Sequence, residues 1–294
     1  MKIFLTGKNG QLGHGLEKDL KKIYEVIATD RDGLNLINTQ LIKDTIYQVK
    51  PDLIINAAGY TDVDKAEKEK DLAYKINGLA PKALSQVAEE LDIPIIHIST
   101  NYVFDGSKKD SYMEDDEVNP LSVYGASKWQ GEEFVRQNPK HFILRTSWIF
   151  SSHGHNFVKT IFKLAQEKTT LKVVDDQWGS PTSVKTLSKA IQNIIQYINH
   201  QSFLDLYGTY HVTSEGETNW YLYARKVLDI LESLQVELKL KKDYLSPISL
   251  DQYPQDAVRP KNSKLNTSKF KNTFMIKFPH WEEDISVDIN LIKR

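Results

Sequence analysis

The sequence predicts an α/β fold, a doubly wound parallel sheet followed by a smaller C-terminal region. Three observations predict it. The runs Leu53-Ile54-Ile55 and Ile93-Pro94-Ile95-Ile96-His97-Ile98 are apolar without the alternation of a half-exposed strand, so they read as strands buried on both faces. Segments of helical period separate such runs over the first half of the chain, the rhythm of βαβ units. The first strand meets the first helix at Gly7-Lys8-Asn9-Gly10-Gln11-Leu12-Gly13, three glycines where a strand turns into a helix.

Composition excludes several classes. The 294 residues, 40% of them hydrophobic, suffice for one large domain or two unequal ones. Lysine plus arginine number 38 and aspartate plus glutamate 39, a net charge of -1. Neither nucleic acid nor an anionic membrane is therefore expected as a partner. There is no cysteine, which removes disulfides, thiol catalysis and thiolate metal sites. Met1-Lys2 runs straight into a strand pattern and no apolar stretch reaches membrane-spanning length, so a cytoplasmic protein is the expectation.

In chain order, Lys2 to Thr6 is the first strand, and the helix after the glycine turn carries Leu12, Leu16 and Leu20 on one face. This is a Rossmann-type opening unit. Its turn needs a positive φ and close backbone approach, and its helix N-terminus offers N–H groups to a pyrophosphate. Val26 to Thr29 is the second strand. Asp30 ends it, placed to accept from ribose hydroxyls, which favours NADH. Arg31 follows and could receive a 2′-phosphate, so NADPH stays open. Leu41 to Val49 reads as a helix closed by Lys50-Pro51. After the third strand, the small residues of Asn56-Ala57-Ala58-Gly59-Tyr60 leave room for a cofactor. Leu72 to Leu91 reads as a helix with Asn77 in its middle. His97 lies inside the next strand and reads as a satisfied core residue. Ser99-Thr100 then places a hydroxyl at that strand's end.

Tyr124 and Lys128 stand four apart at the start of a helix, on one face. A free tyrosine titrates at about pH 10, and a neighbouring ammonium lowers that value. The pair is a recipe for a proton donor working near neutrality. Further on, Phe142 to Phe150 and Leu171 to Val174 read as strands, and Val184 to Ile198 keeps helical period. Residues 200–207 read as a connection, Gly208 to Val212 as a strand, and Asn219 to Leu234 as an amphipathic helix with Tyr223, Val227 and Ile230 inward. Arg259, in a proline-bounded loop, is a candidate ligand for a diphosphate, an exposed loop cation being the other reading. Trp148, directly after Thr146-Ser147, is weighted toward the site rather than the core, and Trp220 stays open between the two.

Several segments carry a family resemblance in order along the chain. They are the glycine turn from Thr6, Asn56-Ala57-Ala58-Gly59-Tyr60-Thr61-Asp62-Val63-Asp64-Lys65-Ala66-Glu67, and Ser99-Thr100-Asn101-Tyr102-Val103-Phe104-Asp105-Gly106. Next come Tyr124-Gly125-Ala126-Ser127-Lys128, Arg145-Thr146-Ser147-Trp148, Asp176-Gln177-Trp178-Gly179-Ser180-Pro181-Thr182, Gly216 to Tyr221 and Arg259 to Leu265. Together they resemble the extended short-chain dehydrogenase/reductase family, in its branch acting on 4-keto nucleotide sugars.

The resemblance implies reduction of the 4-keto group of dTDP-4-dehydro-L-rhamnose by NADPH or NADH. Another nucleotide-sugar 4-ketoreductase is one rival. A non-catalytic nucleotide-binding subunit of the methionine adenosyltransferase type is another, against which intact Thr100, Tyr124 and Lys128 speak. By the resemblance Tyr124 protonates the C4 oxygen, Lys128 binds the nicotinamide ribose, and Thr100 bonds the substrate carbonyl. Gly10, Gln11 and Leu12 touch the pyrophosphate and Asp30 the ribose, with Gly7 and Gly13 in the same cofactor-binding turn, while Asn35, Leu36, Gly59, Tyr60 and Thr61 line the cofactor cleft. Trp148, Asn101 and Arg259 contact the sugar nucleotide. Asn101 departs from the family's usual Asp, and Gly15 stands where some members carry a metal-binding Glu at a dimer interface, so no metal is expected. A monomer or homodimer is expected. Residues 1–150 would form the dinucleotide-binding domain, with 171–200 completing its sheet, and 151–170 with 201–294 the substrate-binding region.

Overall fold

The computed structural model describes residues 1–199 and 206–293; most of the connection expected at 200–207 lies outside them. Six parallel strands form the central sheet. They are β1 (Lys2–Thr6), β2 (Glu25–Thr29), β3 (Leu53–Asn56), β4 (Ile95–Thr100), β5 (His141–Thr146) and the Gly208–His211 strand. From one edge the order is β2, β1, β3, β4, β5, Gly208–His211. The winding reverses between β1 and β3, and a ligand crevice opens outside the carboxyl ends of the strands at such a switch point. Every residue of β3 and β4 is buried, as their unalternating runs predict.

Helices cover both faces. On one lie α1 (Gln11–Leu20) and, later in the chain, the long Val184–Asn199 helix, with Leu16, Leu20, Leu187 and Ile191 against Ile3, Leu5 and Ile55. On the other lie α2 (Thr39–Val49) and the Ala80–Glu90 and Val123–Val135 helices, packed on Phe4, Ile54, Ile95 and Ile143. Asn38 caps α2 through Leu41 N, and Lys50 ends it in the left-handed conformation before Pro51.

The helix expected over 72–91 is interrupted. α3 (Val63–Lys68) and α4 (Lys70–Tyr74) lead into a π-turn, Lys75–Leu79, before α5 (Ala80–Glu90). The bulge carries Asn77, whose side chain bonds the backbone of Tyr60, and π-bulges recur where a helix serves a site. α6 (Val123–Val135), capped by Ser122 on Gly125 N, carries the Tyr–Lys pair.

The strand expected over 142–150 breaks at Ser147-Trp148, because Trp148 takes a φ of +47° and redirects the chain into Ile149–Phe150. A second core lies beyond. It joins α7 (Phe157–Glu167), and past α8 (Val184–Asn199) it joins α9 (Trp220–Ser233) and, past α10 (Ser268–Thr273), α11 (Trp281–Lys293). Leu171–Val174 does not complete the central sheet. It pairs in parallel with Leu245–Ile248, since Val173 and Leu245 are buried in the second core. The sixth central strand comes instead from Gly208–His211, paired with β5.

Candidate active site

The site grows from the ends of β1, β3 and β4. Gly7 has a φ of +81°, a conformation a side chain resists, and a Cβ there would stand 2.8 Å from Ala58 N. A Cβ on Gly13 would fall 2.0 Å from the Gly7 carbonyl oxygen, so α1 packs on the turn only as glycine. Gly10 caps α1 with no side-chain hydrogen bond, and no acidic residue occupies the first turn. The N–H groups and positive dipole end of a ten-residue helix therefore face the crevice. The Leu12 side chain belongs to the core, leaving its backbone to this role. Gln11 is tied to Ile149 O, Ser151 and Asn156 across the crevice.

Opposite the turn, α6 brings Tyr124 and Lys128 to the end of β4. Lys128 is 4% exposed and its Nζ donates to Ile98 O at 2.6 Å. A Cβ on Gly59 would lie 3.9 Å from that ammonium, so the lysine stands against the cofactor-side loop. The Thr100 hydroxyl stands beside the Tyr124 phenol and favours its charged form. Asn77 binds the pieces together: it accepts from Tyr60 N at 2.8 Å and donates to Tyr60 O and Ser127 Oγ, each at 3.0 Å. Ser127 in turn donates to Tyr124 O. Thr100, Tyr124, Lys128, Gly59 and Tyr60 are thus one constellation.

A glycine cradle, an uncapped helix end and a Thr–Tyr–Lys group converge on one crevice, and a family model for the RmlD substrate binding domain matches residues 1–293. The chain belongs to the RmlD family.

It is 39% identical over 284 residues to a dTDP-4-dehydrorhamnose reductase of Sinorhizobium fredii, covering 96% of this chain and 95% of that one. Among solved structures, a dTDP-4-dehydrorhamnose reductase of Clostridium acetobutylicum superposes with a TM-score of 0.91 at 39% identity over 100% of both chains. One of Bacillus anthracis, in complex with NADP, does so at 0.88 and 35% identity over 98% of each.

The electrostatics of this RmlD-family site differ from the simple Tyr–Lys picture. Burial pushes the Tyr124 phenol up to about 12, the neighbouring Thr100 hydroxyl offsetting only part of it. The Lys128 ammonium is directed at the Ile98 carbonyl, and burial is the dominant influence on the phenol. Burial also pushes Lys128 down to about 8, with the Glu132 carboxylate partly restoring it. At neutral pH Tyr124 therefore holds its proton and Lys128 is a cation.

Asp30 accepts from Gly33 N at 3.0 Å and Asn9 Nδ2 at 2.9 Å and pairs with Lys8 at 3.2 Å. The Gly33 bond and Lys8 hold its carboxyl below the usual range. Lys8, rather than the exposed Arg31, is the cation paired with Asp30. Nothing local in the glycine turn marks it. Asn35 bonds Ile37 N, and Leu36 packs beside the Phe4 core. The Tyr60 hydroxyl donates to Glu69, and Thr61 is exposed.

Three expected substrate contacts have partners within the protein. Asn101 is 2% exposed, accepting from Thr100 Oγ1 at 3.2 Å and donating to Ser263 O at 3.4 Å. Arg259 pairs with Asp64 at 2.6 Å and donates to Gln255. Trp148 stacks on Trp220 with centroids 3.6 Å apart, beside Phe157 and Tyr223. Its positive φ costs about 1–3 kcal/mol and is held by that stack. His97 accepts from Asn56 Nδ2 through Nδ1, but its buried Nε2 has no partner, so it is only half satisfied.

Pattern reading missed Asn77, Glu132 and Arg145. Asn77 left one trace, a polar residue inside a helix that proves buried. Among the described residues no three His, Cys, Asp or Glu side chains gather as a metal site requires, and no helix is long and apolar enough to cross a membrane.

Proposed function

We propose that this chain reduces the 4-keto group of dTDP-4-dehydro-L-rhamnose to dTDP-L-rhamnose with NADPH or NADH. The observation that carries the proposal is the Thr100–Tyr124–Lys128 constellation at the crevice mouth, within a chain matched to the family end to end. The cradle fits a dinucleotide: Gly7 and Gly13 leave no space for a Cβ, the α1 N-terminus is uncapped, and Lys8 and Asp30 stand beyond it. When bound, the reduced nicotinamide supplies the hydride.

The chain's own residues do the rest. Thr100 orients the Tyr124 phenol and the substrate carbonyl. Tyr124, protonated at neutral pH, donates its proton to the C4 oxygen as charge develops there. The Lys128 cation, buried nearby, favours the phenolate left behind. Asn77 keeps the Gly59–Tyr60 loop in register with α6.

The test is nicotinamide consumption with dTDP-4-dehydro-L-rhamnose, with the product identified by NMR. Tyr124→Phe should cut turnover by roughly 10²–10⁴ while leaving NADPH binding intact. Near-parental turnover in that variant would remove Tyr124 as proton donor.

A further inference from the structure

The Val63-Asp64-Lys65-Ala66-Glu67 segment has no role in the chemistry above, yet it forms α3 and touches three parts of the site. Behind it runs the loop of Gly59, Tyr60 and Thr61. On one side Glu67 accepts from Val123 N at 2.8 Å, holding the first residue of α6 next to Tyr124. On another side Asp64 gathers the loop 255–260. Its Oδ1 accepts from the backbone N–H of Asp256 at 3.1 Å and Ala257 at 3.0 Å, and its Oδ2 from Arg259 at 2.6 Å. Lys68 adds an ion pair to Asp256 at 2.6 Å.

The carboxylate is half-buried. Burial alone would raise its pKa, but the Arg259 and backbone hydrogen bonds outweigh that and hold it below the usual range. Arg259 then reaches inward. It stands beside the Tyr102 phenol, whose pKa it pulls down against the rise from burial, and the Tyr102 ring stands edge-on to Tyr124 with centroids 5.6 Å apart. Tyr102 N also donates to Thr100 Oγ1. A guanidinium has five N–H donors in a rigid fork, and Asp64 and Gln255 leave part of that fork for an anion.

We propose that Asp64 is a positioning residue: it latches loop 255–260 onto α3, so that Arg259 is aimed at the diphosphate of the nucleotide sugar bound beside Tyr124. The inference rests on the reductase reading and adds a residue that touches neither substrate nor cofactor. Because Asp64 acts through Arg259, its effect must vanish once Arg259 is gone. It must also appear in the affinity for the sugar nucleotide and not in the chemical step.

The experiment compares the parent with Asp64→Asn, Arg259→Gln and the double variant in steady-state kinetics, with dTDP binding measured by calorimetry. Each single substitution should raise the KM for the ketosugar and the Kd for dTDP roughly tenfold, leave kcat within about twofold and spare the KM for NADPH, and the double should be no worse than Arg259→Gln. An unchanged KM in Asp64→Asn overturns the proposal. So does a lowered KM, which would make Asp64 a competitor of the substrate for Arg259, and so do additive effects. Should Asp64→Asn fail to fold, Gln255→Ala removes the other acceptor on Arg259: a selective rise in ketosugar KM supports the proposal, and no rise overturns it. If the parent does not turn over the ketosugar, the reductase reading fails, and dTDP affinity across the same variants still decides the role of Asp64.

Discussion

Glu132→Gln tests how the catalytic helix is anchored. Glu132 is fully buried on α6, one turn past Lys128. Its carboxylate accepts from Arg145 Nε at 3.0 Å and Nη2 at 2.8 Å, from Ser99 Oγ at 2.5 Å and from Arg136 Nη2 at 2.9 Å. Arg145 is 1% exposed and lies over Phe104 and Trp129. The amide keeps one acceptor but removes the anion bonded to the buried guanidinium, leaving only the Glu114 carboxylate as a counter-charge near it. Breaking a buried pair from one side costs about 3–5 kcal/mol, and the retained acceptor argues for the lower end. Against a typical total of about 5–15 kcal/mol this is a large share. At about 2–4 °C per kcal/mol, Tm should fall by roughly 6–12 °C. Circular dichroism melting at neutral pH measures it. Adding Arg145→Met, which removes the stranded cation, should regain much of the loss. A fall under about 2 °C would show that the pair contributes little net stability and refute the reasoning.

The same carboxylate raises the Lys128 pKa, so pH dependence offers a second check. With Lys128 at about 8, raising the pH removes its proton, and kcat/KM for NADPH should fall above about pH 8 if the cation is needed. Tyr124, at about 12, adds no limb there. Glu132→Gln should move the limb to lower pH, and a profile flat to about pH 10 would refute the role of Lys128. Because the folded value lies below the ordinary 10.5, the unfolded chain holds this proton more tightly, so the Lys128 contribution to stability rises between about pH 8 and 10.5. Asn101→Asp loses the donor to Ser263 O and sets a charge against that carbonyl. It should cost about 1–3 kcal/mol of stability and lower kcat/KM equally on two hydroxyl epimers of the ketosugar, whereas a changed ratio between them would make Asn101 a direct substrate contact. Asp30→Ala should weaken NADH more than NADPH, and Lys8→Ala the reverse, because Lys8 neutralises the carboxylate a 2′-phosphate would meet; equal losses of both cofactors in both variants would dismiss this pair as the selector.

By itself the sequence determined the parts whose pattern is local. Unalternating apolar runs marked β3 and β4 as buried strands, because a strand covered on both faces has no solvent side to colour its sequence. The glycine spacing marked the turn into α1, because only glycine tolerates the φ at Gly7 and the contact at Gly13. The interval between Tyr124 and Lys128 is enough to place both on one face of α6, since residues four apart in a helix stand one above the other. Only the tertiary structure decided which distant residues meet. Arg259 stood in the sequence as a lone loop cation, and Asp64, 195 positions earlier, proved to be its partner. By sequence Trp148 is weighted toward the site, and the structure stacks it on Trp220, while the break in its strand is a backbone strain that residue type does not announce. Leu171–Val174 read correctly as a strand but in the wrong sheet, because its partner Leu245–Ile248 lies in a stretch with no periodicity of its own. Burial likewise turned the expected low Tyr124 pKa into a high one. Periodicity and dihedral preference are properties of neighbours in the chain, whereas partner choice and desolvation are set by how the packed elements meet.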